Sequence, residues 1–236
     1  MTDAVLSLAL QAGFLLLVCI IGVLLPGRTR WRWVLISLVL FVVYDVTLSR
    51  VFGLLPNLPP EARWNWLGKA SALALMLLVA ALPGLGWRRV GLTTRQAGGW
   101  LVPTIVMIVV LAPLAWLNIA DGVAPSDTET IAFQLTMPGL DEELFYRGIL
   151  LLALNEAFGA RVRVLGAPIG WGGVATSLLF GVIHGLSWSQ GLVLDADAML
   201  WAGVPGLLLL WLRERTGSLL LPVIAHNAAN GIAALF

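Results

Sequence analysis

The chain has 236 residues, of which 59% are hydrophobic and 11% charged, against about 25% charged for an ordinary soluble domain. That balance makes the lipid bilayer the expected solvent. With 14 Lys and Arg against 13 Asp and Glu, there is no basic surplus to neutralise phosphates, which excludes nucleic acid as an expected partner.

Apolar runs predict an all-α polytopic transmembrane bundle of about eight spans, since about 20 apolar residues cross the hydrocarbon core. In chain order they cover 5–25, 34–50, 67–83, 100–119, 131–154, 174–187, 198–212 and 218–235. The first is too long for a signal-peptide core, has no basic residue before it, and reads as a retained span. It contains Cys19, the single cysteine, so neither an internal disulfide nor a cysteine metal cage is available. The sixth and seventh runs are short, and Pro205 interrupts the seventh. Trp31, Trp33, Trp64, Trp66, Trp87, Trp100, Trp171, Trp188 and Trp211 fall near the ends of the runs, where interfacial aromatics are expected.

Loop charges set an expected orientation, because Lys and Arg are retained on the cytoplasmic side. Loops one, three, five and seven carry Arg28/Arg30/Arg32, Arg88/Arg89/Arg95, Arg161/Arg163 and Arg213/Arg215. Loops four and six carry Asp121/Asp127/Glu129 and Asp195/Asp197, which places both termini outside. Loop two dissents, with Arg50, Arg63 and Lys69 against Glu61.

The fifth run holds Asp141-Glu142-Glu143 and Arg147 in an otherwise apolar helix. A lone charge at mid-bilayer costs several kcal/mol, so such residues face the protein interior and pair, or serve function. Glu143 and Arg147, at i and i+4, share a face and neutralise each other. Glu142 projects about 100° away and is the better placed for proton transfer. Phe180 and His184 repeat the four-residue spacing on the sixth run, as do His226 and Asn230 on the eighth. At about 1.5 Å rise per residue, Glu142, His184 and His226 lie roughly 13–18 Å from the predicted cytoplasmic ends, so three helices can bring them to one layer. Each polar group taken singly reads as a helix–helix contact; the whole set on three spans reads as a site. Asp45 stands apart, an acid to pair with Arg50 or line a water pocket.

Glu142-Glu143-x-x-x-Arg147, Phe180-x-x-x-His184 and His226-x-x-x-Asn230, in that order, resemble the three motifs of the CPBP family of intramembrane proteases, also called the CAAX-protease or Abi family. Gly148 and the segment Gly217-Ser218-Leu219 with Pro222 agree with the resemblance, which covers residues 128–236 and leaves 1–127, the first four spans, without a motif. It implies an endopeptidase acting on membrane-associated peptides or lipidated proteins; members act near the C-terminus of prenylated proteins in eukaryotes. It further implies that Glu142 and His184 activate water, His226 and Asn230 stabilise the oxyanion, and Glu143, Arg147 and Phe180 support the site. Asp141 is an addition to the motif.

Two mechanisms remain open on the residues. Glu142, His184 and His226 could hold zinc with an open position for water. A metal-free, glutamate-dependent hydrolysis is favoured because Asn230 is a poor zinc ligand and a good oxyanion donor. There is no His-Glu-x-x-His and no Gly-x-Ser-Gly; an aspartyl pair of Asp45 and Asp141 would lack the glycine expected where Leu140 stands. A non-enzyme reading is a transporter or membrane scaffold with the charges as an ion relay or helix lock, although paired repeats are not visible.

Overall fold

The computed structural model describes residues 1–97, 99–122 and 124–235, with Phe52 described by its backbone alone. Helices α1 (Thr2–Leu24), α2 (Trp31–Leu48), the single turn α3 (Arg50–Gly53), α4 (Trp66–Ala80) and α5 (Leu101–Asp121) form the first half. A broken rod follows: α6 (Thr128–Gln134), α7 (Met137–Glu142), a π-helical stretch Glu143–Leu150 and α8 (Leu151–Ala157). Hairpin β1–β2 (Arg161–Val164, Ala167–Gly170) leads into α9 (Trp171–Gly185), and hairpin β3–β4 (Leu186–Trp188, Leu192–Leu194) into α10 (Ala196–Thr216) and α11 (Leu220–Leu235).

The expectation of about eight spans is overturned. Four of the described helices, α1, α2, α5 and α10, are long and apolar enough to cross a membrane. The 15 residues of α4 and 16 of α11 reach about 22–24 Å at 1.5 Å each, short of a core of about 30 Å. The fifth run fails for another reason. Pro138 falls in the first turn of α7, where its missing N–H and fixed φ start a helix more readily than they continue one, so the rod divides between Gln134 and Met137. In the opposite sense, α10 runs unbroken for 21 residues with Pro205 inside it. The fifth loop is a hairpin: Leu165 and Gly166, both at positive φ (48° and 83°), make its two-residue turn.

Burial follows helical period. On α1 it falls on Leu8, Gln11, Leu15, Val18, Cys19 and Gly22, and on α4 on Gly68, Lys69, Ala72, Met76 and Ala80. On α5 only Pro103 and Met107 are buried; its exposed Val102, Ile105, Ile108, Val109, Trp116 and Leu117 form an apolar surface of the kind a bilayer covers. Trp31 and Trp100 are exposed at helix starts and Trp87 in the turns between α4 and α5, whereas Trp33 and Trp211 are buried in the protein instead. The N–H of Trp171 donates to Val18 O at 2.8 Å, joining α9 to α1.

The loops gather by charge. Arg30 and Arg89, from loops one and three, both pair with Glu156 at the end of α8. At the other end of α2, the dissent of loop two is neutralised locally: Arg63 pairs with Asp127 and Glu129, and Arg50 donates to Leu55 O. Asp127 caps α6, and hydrogen bonds from the Thr130 hydroxyl and amide, with Arg63 beside it, hold its carboxyl down at about 2. Lys69, within the predicted third run, lies in α4 and so drops out of the loop count.

At the crossing of α9 and α10, a Cβ on Gly181 would sit 2.8 Å from Met199 O and 3.1 Å from Gly203 Cα. Gly181→Leu is therefore expected to force the helices apart at a cost of about 1–3 kcal/mol, read as a lower thermal midpoint in detergent; an unchanged midpoint would show the crossing to be compliant.

Candidate active site

Two carboxylates and a base meet where α7 passes into the π-helical stretch. Glu143 and Arg147 are both wholly buried, with Arg147 Nη1 donating to Glu143 Oε1 at 2.8 Å. The guanidinium also donates to Gly206 O at 3.3 Å and lies 4.0 Å from the centroid of the Phe180 ring, a cation–π contact. These bonds bring α9 and α10 onto the carboxylate-bearing rod.

Both histidines are oriented through Nδ1. His226 Nδ1 lies 2.7 Å from Glu143 Oε1; since that carboxylate already accepts from Arg147, the imidazole is the donor. His184 Nδ1 lies 2.6 Å from Phe180 O, where again only the ring can donate. The Phe180 ring sits beside both, 4.7 Å from the ring of His184 and 5.9 Å from that of His226. His226 Nε2 then faces Glu142 Oε2 at 3.9 Å. Glu142 Oε2 has no hydrogen-bond partner within the protein.

The three adjacent acids differ in access. The side chains of Asp141 and Glu143 are 0% exposed, that of Glu142 14%, so Glu142 is the least enclosed of the three, although its unpaired Oε2 is itself buried. Its Oε1 is held by Lys69 Nζ at 2.6 Å, and the same ammonium lies 3.2 Å from Asp141 Oδ2. Tyr44 of α2, stacked on Phe145 with centroids 3.8 Å apart, donates to that Asp141 oxygen at 2.8 Å. Asp141 is thus committed to Tyr44 and Lys69, which leaves the aspartyl-pair reading with Asp45 without support. Three carboxylates, Asp141, Glu142 and Glu143, are paired with two basic side chains, Lys69 and Arg147.

Of the residues singled out in the sequence, Glu142, Glu143, Arg147, Phe180, His184 and His226 come together. Asn230 does not join them by hydrogen bond; its amide donates to Gln134 of α6 at 3.1 Å. Its neighbour Asn227 instead accepts from Gly139 N at 2.7 Å and donates to Thr136 O at 3.1 Å, tying α11 to the start of α7. Two further residues, Lys69 and Tyr44, join the site through Asp141 and Glu142 and belong to no sequence motif. For Lys69 the signal was its helical face: Lys69, Ala72, Met76 and Ala80 keep one side of α4.

The zinc set does not fit. Among the described residues no three His, Cys, Asp or Glu side chains converge as metal ligands, and the Lys69 ammonium at 2.6 Å from Glu142 puts a positive charge against the carboxylate that would bind the ion.

Four long apolar helices fit a membrane-associated protein, and its buried Glu/His cluster has the carboxylate and imidazole groups from which general acid–base sites are built. Residues 125–232 match the family model described as type II CAAX prenyl endopeptidase Rce1-like. The second half of the chain is thus similar to an Rce1-like domain, and the Glu/His cluster lies in and against that segment; the first 124 residues lie outside the match. Comparison with curated proteins and with solved structures found no match.

Proposed function

We propose that the protein is an intramembrane endopeptidase that hydrolyses peptide bonds of membrane-associated substrates with a water activated by Glu142. The observation that carries this reading is the buried Glu142 Oε2, without a hydrogen-bond partner in the protein and 3.9 Å from His226 Nε2. A separation of that size suits a water bonded to both groups. Residues 128–236 form the catalytic core, and the helices of 1–127 surround it.

In this mechanism Glu142 takes a proton from the water as the oxygen attacks the scissile carbonyl, then returns it to the leaving amine. His184, anchored through Nδ1, keeps Nε2 for the same water. His226, when protonated at Nε2 as well, donates to the tetrahedral oxyanion. Asn230 adds a second donor once its amide leaves Gln134 on substrate binding. Glu143 and Arg147 hold His226 in place. The family match supports a CAAX-type prenylated peptide as substrate class, with bacteriocin-like membrane peptides as a second class to test, and the basic loops facing the cytoplasm would leave both termini outside.

The test is direct. The purified protein in lipid nanodiscs is incubated with a farnesylated CAAX-type peptide and with a library of membrane-peptide C-termini, and products are read by mass spectrometry. New C-termini are expected, at rates unchanged after exhaustive chelation. No cleavage of any member would count against the hydrolytic reading, and activity lost to chelator and restored by zinc would reverse the metal-free assignment.

A further inference from the structure

Glu142 has one oxygen free and one held, and the group that holds it comes from outside the Rce1-like segment. Lys69 reaches in from α4, its side chain only 11% exposed, and divides its protons between Glu142 Oε1 at 2.6 Å and Asp141 Oδ2 at 3.2 Å. Burying an ammonium is costly unless it is fully paired. Here a chain of contacts runs from α2 through α4 to α7, with Tyr44 OH on Asp141 Oδ2 at 2.8 Å, Asp141 on Lys69, and Lys69 on Glu142. A contact serving only to join helices would be complete with the wholly buried Asp141. The shorter bond goes instead to Glu142, the acid whose second oxygen is left without a partner and faces His226.

We propose that Lys69 is a positioning residue of the hydrolytic site, holding Glu142 by Oε1 so that Oε2 is presented to the water beside His226, with Tyr44 and Asp141 fixing Lys69. The proposal rests on the hydrolytic reading above. A carboxylate held by one oxygen has a fixed plane and a fixed reactive edge, and misplacement of a reacting group by about 1 Å can cost about 100-fold in rate. Lys69 does not touch the substrate; its effect passes through Glu142 and should appear in kcat rather than in KM.

The experiment uses the full chain in nanodiscs with a quenched fluorescent farnesylated CAAX-type peptide. Lys69→Met is expected to lower kcat about 100-fold with KM within about threefold, and Lys69→Arg, which restores the charged donor, to recover to within about tenfold of the parent. A folded Lys69→Met protein with parental kcat overturns the proposal, as does an Arg variant no better than Met. If Lys69→Met does not fold, Tyr44→Phe carries the test: it loosens Asp141 and Lys69 and should lower kcat several-fold at constant KM, and parental kcat would overturn the proposal. A second readout needs no turnover. Thermal midpoints of Lys69→Met, Glu142→Ala and the double variant should be non-additive, because the partners touch and each substitution removes the contact; additive shifts would remove the contact from the proposal. A parent that cleaves no peptide counts against the hydrolytic reading and the catalytic role of Lys69 together, while the midpoint cycle still decides the Lys69–Glu142 coupling.

Discussion

Glu142→Gln is expected to reduce peptide hydrolysis by at least about 1,000-fold, within the range general-base groups contribute, while the protein stays folded. The amide keeps the shape of the side chain and can still accept from Lys69 through its oxygen, so the packing of α4 on α7 survives. What it loses is the ability to take a proton at the position of Oε2, which faces His226 at 3.9 Å. The measurement is single-turnover cleavage of the peptide that the parent processes, beside a thermal melt. A stable Gln variant that cleaves like the parent would exclude Glu142 as the base.

Arg147→Met should have the largest effect on stability. It strips the wholly buried Glu143 of its charged partner, removes the donor to Gly206 O and the cation over Phe180, and leaves Arg-sized space half filled. Breaking a buried pair from one side costs about 3–5 kcal/mol, a large share of a typical 5–15 kcal/mol total. Expression level and thermal midpoint should both fall sharply. The double variant Arg147→Met with Glu143→Gln should regain part of the loss, since no uncompensated charge remains; a single variant as stable as the parent would show that the pair is not what holds α7, α9 and α10 together.

The candidate site was legible in the sequence to the extent that chemistry forces spacing. Charges in an apolar run must pair, so Glu143 and Arg147 at i and i+4 could be read directly, and the four-residue offsets of Phe180/His184 and His226/Asn230 marked helix faces. Lys69 falls inside the third apolar run, 67–83, so its helix was legible, but its partners Asp141 and Glu142 lie more than 70 positions away, and no local spacing names them. Asn230 marks a second limit: its spacing from His226 gives a face, while the presence of Gln134 opposite, which takes its amide, depends on the break before α7.

The fold was less legible than the site. Hydropathy registers apolar content and is blind to where a helix stops, so eight runs became four helices of spanning length. Pro138 opened a new helix where a continuous run was expected, and Pro205 was absorbed where a break was expected. Packing decided each case. The Leu165-Gly166 turn, by contrast, closes a hairpin whose strand residues include Arg161 and Arg163, a pattern that reads as a polar loop.

The π-helical stretch from Glu143 to Leu150 amounts to one residue more than an α-helix would use for the same path, and such stretches recur at functional sites. A length change there is unlike a point substitution. Removing one residue between Leu144 and Leu150 would let the rod relax to a regular α-helix, and everything before the cut would turn about 100° relative to α8. Glu142 and Glu143 would swing off their histidine and their cations while every motif residue remained in the chain. Among related sequences, spacing between the acids and Gly148 is therefore a sharper mark of an intact site than the presence of the acids themselves.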